Sequence, residues 1–291
     1  MESLIRAIYS FSFSLFGITI NSDDLTGTIW SLLDIGNLLN PNGFELYQYV
    51  YDINQAAQAI AFSLLTLFFM INMIKLLTQE GVERVSWERI VLRACVFFLL
   101  YAFIKNSMTW FGNIGKIVQN SILLPVAEGM DMGLTDGSYT SQGLGIADAL
   151  IAIAESAGSI EKYLDYVIFV ILAIPFMATI IMILSQVFLR AVKLLIYIMF
   201  SPIPIAMAAE GDTYRGKAIS FFLQFAGVCF EAVVIYIGTF IYNTGLQKLV
   251  GDNLSGSGAI SIIIGILFMN GLFAAIIQLS STLSSQFFGR G

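Results

Sequence analysis

Glu231 is the residue whose type and setting most invite chemistry. It stands at the centre of Ala226-Gly-Val-Cys-Phe-Glu-Ala-Val-Val-Ile-Tyr236, a run with no other charge. A charge at mid-bilayer costs roughly 2.5–3.5 kcal/mol on insertion scales. A carboxyl there is either a proton or cation site, or a protonated or paired group that bridges helices. Gln186, Gln224 and Asn270 are the bridging partners available in neighbouring apolar runs. Bridging is the expectation, because proton-driven transporters usually carry more than one such group. Asn72 and Gln278 extend the set of intramembrane amides, each worth about 0.6 kcal/mol as a bond between helices.

Other chemistry is mostly excluded by what is missing. The chain has no histidine, so it has no imidazole base and no histidine metal site. Its two cysteines, Cys95 and Cys229, each lie in an apolar run and read as small buried residues without redox duty. Glu210-Gly-Asp-Thr-Tyr-Arg-Gly-Lys217 is a compact charged loop, but its spacing is not that of a phosphate-binding loop. Asp212, Arg215 and Lys217 in this loop are either plain topology determinants or a docking point for a cytoplasmic partner. There is no nucleophile elbow, paired catalytic carboxylates or metal cluster. No enzyme activity, cofactor or metal is expected.

The elements that must position these residues are membrane helices. Only 12% of the 291 residues are charged, against about 25% in soluble domains, and mean hydropathy is +0.83. A net charge of −6 argues against a protein that coats nucleic acid. The fold class is therefore all-α, a polytopic membrane protein. A span needs about 20 residues, and five stretches read as spans: 56–77, 166–189, 219–246 and 259–283, with the shorter 90–104, interrupted by Arg93, as the second in chain order. Lys75 and Arg93 are placed to snorkel from span ends. Pro175 predicts a kink, and Gly265 and Gly271 predict close helix packing. Residues 1–20 lack the pattern of a signal peptide. Leu4, Ile5, Ile8, Phe11, Leu15 and Ile18 instead suggest an amphipathic helix on the membrane surface.

Residues 194–209 are apolar but only 16 long, with Pro202 and Pro204 near the middle. Each proline lacks an amide donor and clashes with the preceding turn. In lipid the freed backbone groups need partners from protein or a wet cavity, so a broken or re-entrant segment is expected there. The positive-inside rule supports this reading. With five spans, nine of the fourteen Lys and Arg share one side; with a sixth span the split is seven and seven. The N-terminus is then outside and the C-terminus cytoplasmic. Four regions result: an external amphipathic region 1–55, two spans with a cytoplasmic connection over 56–105, an external loop domain 106–162, and a three-helix membrane core 163–291. Within the loop domain, residues 110–126 read as an amphipathic helix, 129–145 as a surface loop and 146–164 as helical.

The central stretch is similar to the VirB6/TrbL family of conjugative type IV secretion systems, in the form found on Gram-positive conjugative elements. The residues concerned are Arg190-Ala-Val-Lys193, Phe200-Ser-Pro-Ile-Pro204, Gly211-Asp-Thr-Tyr-Arg-Gly-Lys217 and Phe221-Phe-Leu-Gln-Phe225. At motif level it covers residues 160–245. The resemblance implies an oligomeric subunit of the bacterial inner membrane that helps build a translocation path. Its implied partners are membrane lipids, further copies of itself, a stalk or pilus-like subunit outside and secretion ATPases in the cytoplasm. Single-stranded DNA or protein would be cargo in transit. The family's central tryptophan has no counterpart, since the last one here is Trp110. A proton-coupled secondary transporter using Glu231 is the alternative.

Overall fold

The computed structural model describes residues 3–4, 6, 12–15, 18–21, 25–42, 44–80, 87–129, 134–135, 138–139, 151, 155, 159–210, 212–253 and 259–288. The chain is an all-α protein with four helices long and apolar enough to cross a membrane, or five if one bent pair counts as a span. In order these are α1 (Leu25–Leu33), α2 (Ile35–Leu38), α3 (Tyr47–Glu80), α4 (Trp87–Lys105), α5 (Ser107–Gly129), α6 (Ser159–Phe200), α7 (Pro202–Met207), a 3-10 turn (Ala208–Glu210), α8 (Asp212–Asn253) and α9 (Ala259–Phe287). Large apolar side chains such as Ile174 and Phe268 are 72% and 67% exposed. Along helices this apolar, such surface suits hydrocarbon rather than water.

Two of the helices are much longer than a bilayer requires. At 1.5 Å per residue, the 42 residues of α6 and of α8 each reach about 63 Å, about twice the ~30 Å hydrocarbon core. They run antiparallel: Arg190 meets Val228, and Tyr197 meets Phe221 and Gln224. Helix α9 returns along the second half of α8, with Phe287 against Phe230 and Phe273 stacked on Tyr242. Its buried residues Ile266, Asn270, Phe273, Ile277, Ser280 and Ser284 recur every three or four positions, the seam of a helix pair. Glycines on α8 let the backbones approach: a Cβ at Gly238 would sit 2.6 Å from Ile276 Cγ2. Gly271, expected to serve that purpose, is exposed with open space beside it.

The other layer is built on α3, whose buried residues Val50, Asn54, Ala57, Ala61, Leu65 and Leu76 form one helical stripe. Helix α4 pairs antiparallel with it through Phe62–Tyr101 and Phe69–Phe97. Three charges, Glu88, Arg89 and Arg93, keep α4 from qualifying as a span on its own, and it does so only together with α5, after a bend of 76°. Arg93 Nη1 donates to the Asn72 carbonyl on α3. Pro175 does not interrupt α6.

One further expectation is corrected. The described residues of 12–21 are not helical: Ser12–Leu15 (β1) pairs antiparallel with Ile18–Asn21 (β2). The alternation Phe11-Ser-Phe-Ser-Leu has the period of a strand. Within 129–145, Leu134–Thr135 (β3) pairs with Ser138–Tyr139 (β4) across Asp136-Gly137; most of the remaining residues from 130 to 158 lie outside the described residues. Residues 28–39 of the N-terminal region pack into the helical core. Ile29, Leu33, Ile35 and Leu38 are fully buried in one hydrophobic cluster that also contains Phe169, Phe225 and Phe273. The helix expected over 110–126 is present as part of α5, with Phe111 against Phe221, Phe222 and Phe225.

Candidate functional site

The two layers meet where the central stretch folds. Pro202 and Pro204 cannot donate to the carbonyls four residues earlier, those of Ile198 and Phe200. Helix α6 ends there and α7 begins after Ser201. The expected break is therefore present, but Leu194–Phe200 are the last turns of α6 rather than a segment of their own. Asn54, only 1% exposed, repairs the break. Its Nδ2 donates to the carbonyls of Ile198 (2.8 Å) and Met199 (3.2 Å). Its Oδ1 accepts from Gln58 Nε2 at 2.8 Å and Ser107 Oγ at 3.4 Å. Ser201 Oγ adds a second donor to Ile198 O. Eighteen residues along α3, Asn72 Nδ2 donates to the Ala209 carbonyl at 2.7 Å, beyond the break. Two asparagines one helix face apart thus clamp both ends of the broken segment.

Arg190 is the second anchor and the largest fully buried side chain. Its Nε donates to Val228 O on α8 at 3.2 Å, and its Nη1 donates to Leu33 O at 3.0 Å. Leu33 ends α1, and the last carbonyls of a helix have no intrahelical donor and carry partial negative charge. The guanidinium therefore caps α1 while tying α6 to α8. It also lies close enough to Glu231 for mutual attraction. Gln119 Oε1 accepts from Ile35 N at 3.2 Å, joining α5 to the start of α2 beside this anchor.

Glu231 itself is 7% exposed and lines a groove of about 460 Å³ with Lys193, Tyr197, Gln224, Ser284 and Ser285. Its level is set by Gly227, whose carbonyl accepts from Ser284 Oγ at 2.7 Å. Ser284 belongs to the last turn of α9. The carboxyl is therefore level with the last turn of α9, while along α8 it stands at the midpoint of the helix. Of the expected bridging partners, Gln224 is in the groove, where its Oε1 accepts from Tyr197 Oη at 3.1 Å. Gln186 is exposed and lines none of it. Asn270 is three turns of α8 away, accepting from Tyr242 Oη at 2.7 Å.

The charged segment 210–217 is not a loop. Residues from Asp212 onward are the first turns of α8; the Asp212 side chain and Gly211 lie outside the described residues. Arg215 and Lys217 are exposed, Tyr214 packs on Phe68, and Lys217 Nζ sits 5.2 Å from the Tyr214 ring centroid. Cys229 is buried as expected, whereas Cys95 is exposed on α4. Among the described residues, no group of three or more His, Cys, Asp or Glu side chains could hold a metal.

Asn54 and the depth of Arg190 escaped the sequence reading. Asn54 lies two residues before the apolar stretch taken as the first span. Arg190 looked like an ordinary charge at a span's end. In comparisons with protein families, with characterised proteins and with solved structures, nothing matches this chain.

Proposed function

We propose that this chain is an inner-membrane subunit of a type IV secretion machine, which oligomerises to help form the path for DNA or protein. The observation that carries the proposal is the behaviour of the motif-bearing stretch 190–225. Arg190, Tyr197, the proline break and Phe221–Phe225 form the joint between the two helical layers. The sequence that resembles VirB6/TrbL proteins is thus the part that organises the fold, which suits a scaffold. The N-terminus is assigned to the outside and the C-terminus to the cytoplasm on the distribution of Lys and Arg. Helices α3, α4, α6, α8 and α9 make the five spans, with α5 turned along the outer surface after the 76° bend. The exposed residues Arg215 and Lys217 at the start of α8 then face the secretion ATPases.

The transporter reading needs Glu231 at the centre of an alternating-access core, with paired broken helices. One break is present among the described residues, and Glu231 shares its groove with Lys193 and with no second carboxyl. Purified protein should run as a homo-oligomer in detergent and support no solute uptake in vesicles. A monomer with proton-coupled uptake abolished by Glu231→Gln would overturn the proposal. Orientation is read separately by cysteine labelling in a Cys95→Ser, Cys229→Ala background. Ser138→Cys should label from outside and Thr213→Cys from inside.

A further inference from the structure

The corner where α3, α4 and α5 meet holds a second polar site, unconnected with Glu231. A pocket of about 290 Å³ opens there, lined by Tyr51 and Gln58 of α3, Lys105 of α4, and Thr109, Asn113 and Lys116 of α5, among others. Two helices each contribute a polar stripe at helical spacing: 47, 51, 55 and 58 on α3, and 109, 113 and 116 on α5. No acidic residue lines the pocket, and among the described residues neither lysine ammonium has a partner. The amides of α3 already use donors on one another: Gln58 Nε2 donates to Asn54 Oδ1 and Gln55 Nε2 to Tyr51 Oη. The pocket's unused hydrogen-bonding capacity is therefore cationic and hydroxylic, the chemistry that receives an anion.

Three observations say which anion. The pocket sits at the foot of the α3–α4 pair, whose outer faces expose Ile60, Leu67, Phe98 and Leu99, a surface for acyl chains. Trp110 and Tyr49 are exposed beside it, and such aromatics belong at the level of headgroups. Lys105 and Lys116 also fall among the minority of basic residues on the side that the positive-inside count assigns to the exterior, so setting orientation does not account for them. We propose that this corner binds the phosphate of an anionic glycerophospholipid, with Lys105 and Lys116 flanking the phosphate and Thr109 and Asn113 donating to its oxygens. The lipid would hold the 76° bend between α4 and α5 at the membrane surface.

The test is native mass spectrometry of the full chain in detergent, titrated with phosphatidylglycerol and separately with phosphatidylcholine. Each basic side chain near an anionic lipid is worth about a fivefold change in binding. The double variant Lys105→Gln, Lys116→Gln should therefore bind phosphatidylglycerol about thirtyfold more weakly. Lys105→Arg with Lys116→Arg should keep binding, and Lys248→Gln, elsewhere on the surface, should leave it unchanged. Unaltered retention in the double variant, equal retention of phosphatidylcholine, or an equal loss in Lys248→Gln would overturn the proposal. Displacement of the lipid by inorganic phosphate or by single-stranded DNA would do the same, by assigning the site to a soluble phosphate. A melting temperature of the double variant equal to wild type separates lost binding from lost fold.

Discussion

Helix α8 passes through two different solutions to the same problem. Along its second half it meets α9 through a close seam, where Gly238 and Gly245 admit Ile276 and Met269. The backbone there is satisfied within each helix, and the pair is joined by close packing with one side-chain bond across it, Tyr242 Oη to Asn270 Oδ1. Along its first half it adjoins α7 and the 3-10 turn, where two prolines have freed carbonyls. That layer is joined by side-chain donors: Asn54 and Asn72 on the broken segment, and Arg93 on the carbonyl of Asn72. A continuous helix needs only small residues to find a partner. A broken one must recruit amides, and each amide fixes the register of the helix that supplies it. The joint between the two halves is held by the one buried cation, Arg190, among the described residues.

Arg190→Ala should have the largest effect, because it strikes the joint. It leaves the Val228 and Leu33 carbonyls without their buried donor, at about 1–3 kcal/mol each, and a cavity where the largest fully buried side chain stood, read as a loss of folded protein or a large fall in melting temperature in detergent. Arg190→Lys should rescue poorly, since one ammonium lacks the planar fork that reaches both Val228 O and Leu33 O.

Asn54→Ala tests the amide-bound half. It leaves the Met199 carbonyl without its side-chain donor and Ile198 O with Ser201 Oγ in place of two, a cost of about 1–3 kcal/mol. The comparison sharpens in a double-mutant cycle. With Pro202→Ala and Pro204→Ala already present, α6 can continue, and the same Asn54→Ala change should cost clearly less. An unchanged cost would mean that Asn54 does not act through the break.

The glycine seam should respond differently at its two contacts. At Gly238 a Cβ meets the branched Ile276, 2.6 Å away; at Gly245 it meets the terminal methyl of Met269 at 2.2 Å. Isoleucine is stiff at χ1 and methionine adapts. Gly238→Ala should therefore cost about 1–3 kcal/mol, as overpacking does, and Gly245→Ala less, despite its shorter distance. Equal melting temperatures would show that the seam is looser than its geometry. Glu231→Gln, outside both seams and in an open groove, should change stability and oligomeric state least.

The long helices were legible because each carries an uninterrupted apolar run, and the break was legible because two prolines two residues apart leave few alternatives. The partners of the break were not. A carbonyl freed by proline can be met by any donor near in space, and Asn54 is 144 residues from Ile198. The neighbours of Glu231 were hidden for a related reason. Its central position within its own apolar run is plain, but that Ser284 in the last turn of α9 stands level with it depends on how distant helices pair. The hairpin at 12–21 was missed because apolar residues at helical spacing were counted before the stricter alternation inside Phe11-Ser-Phe-Ser-Leu.

The central claim, a secretion-machine subunit that works as a scaffold, is tested most directly by cargo transfer. In donor cells deleted for this gene, transfer of the conjugative element should fall to background. Wild type and Glu231→Gln should both restore it, and Arg190→Ala should not. Undiminished transfer in the deletion strain would contradict the account.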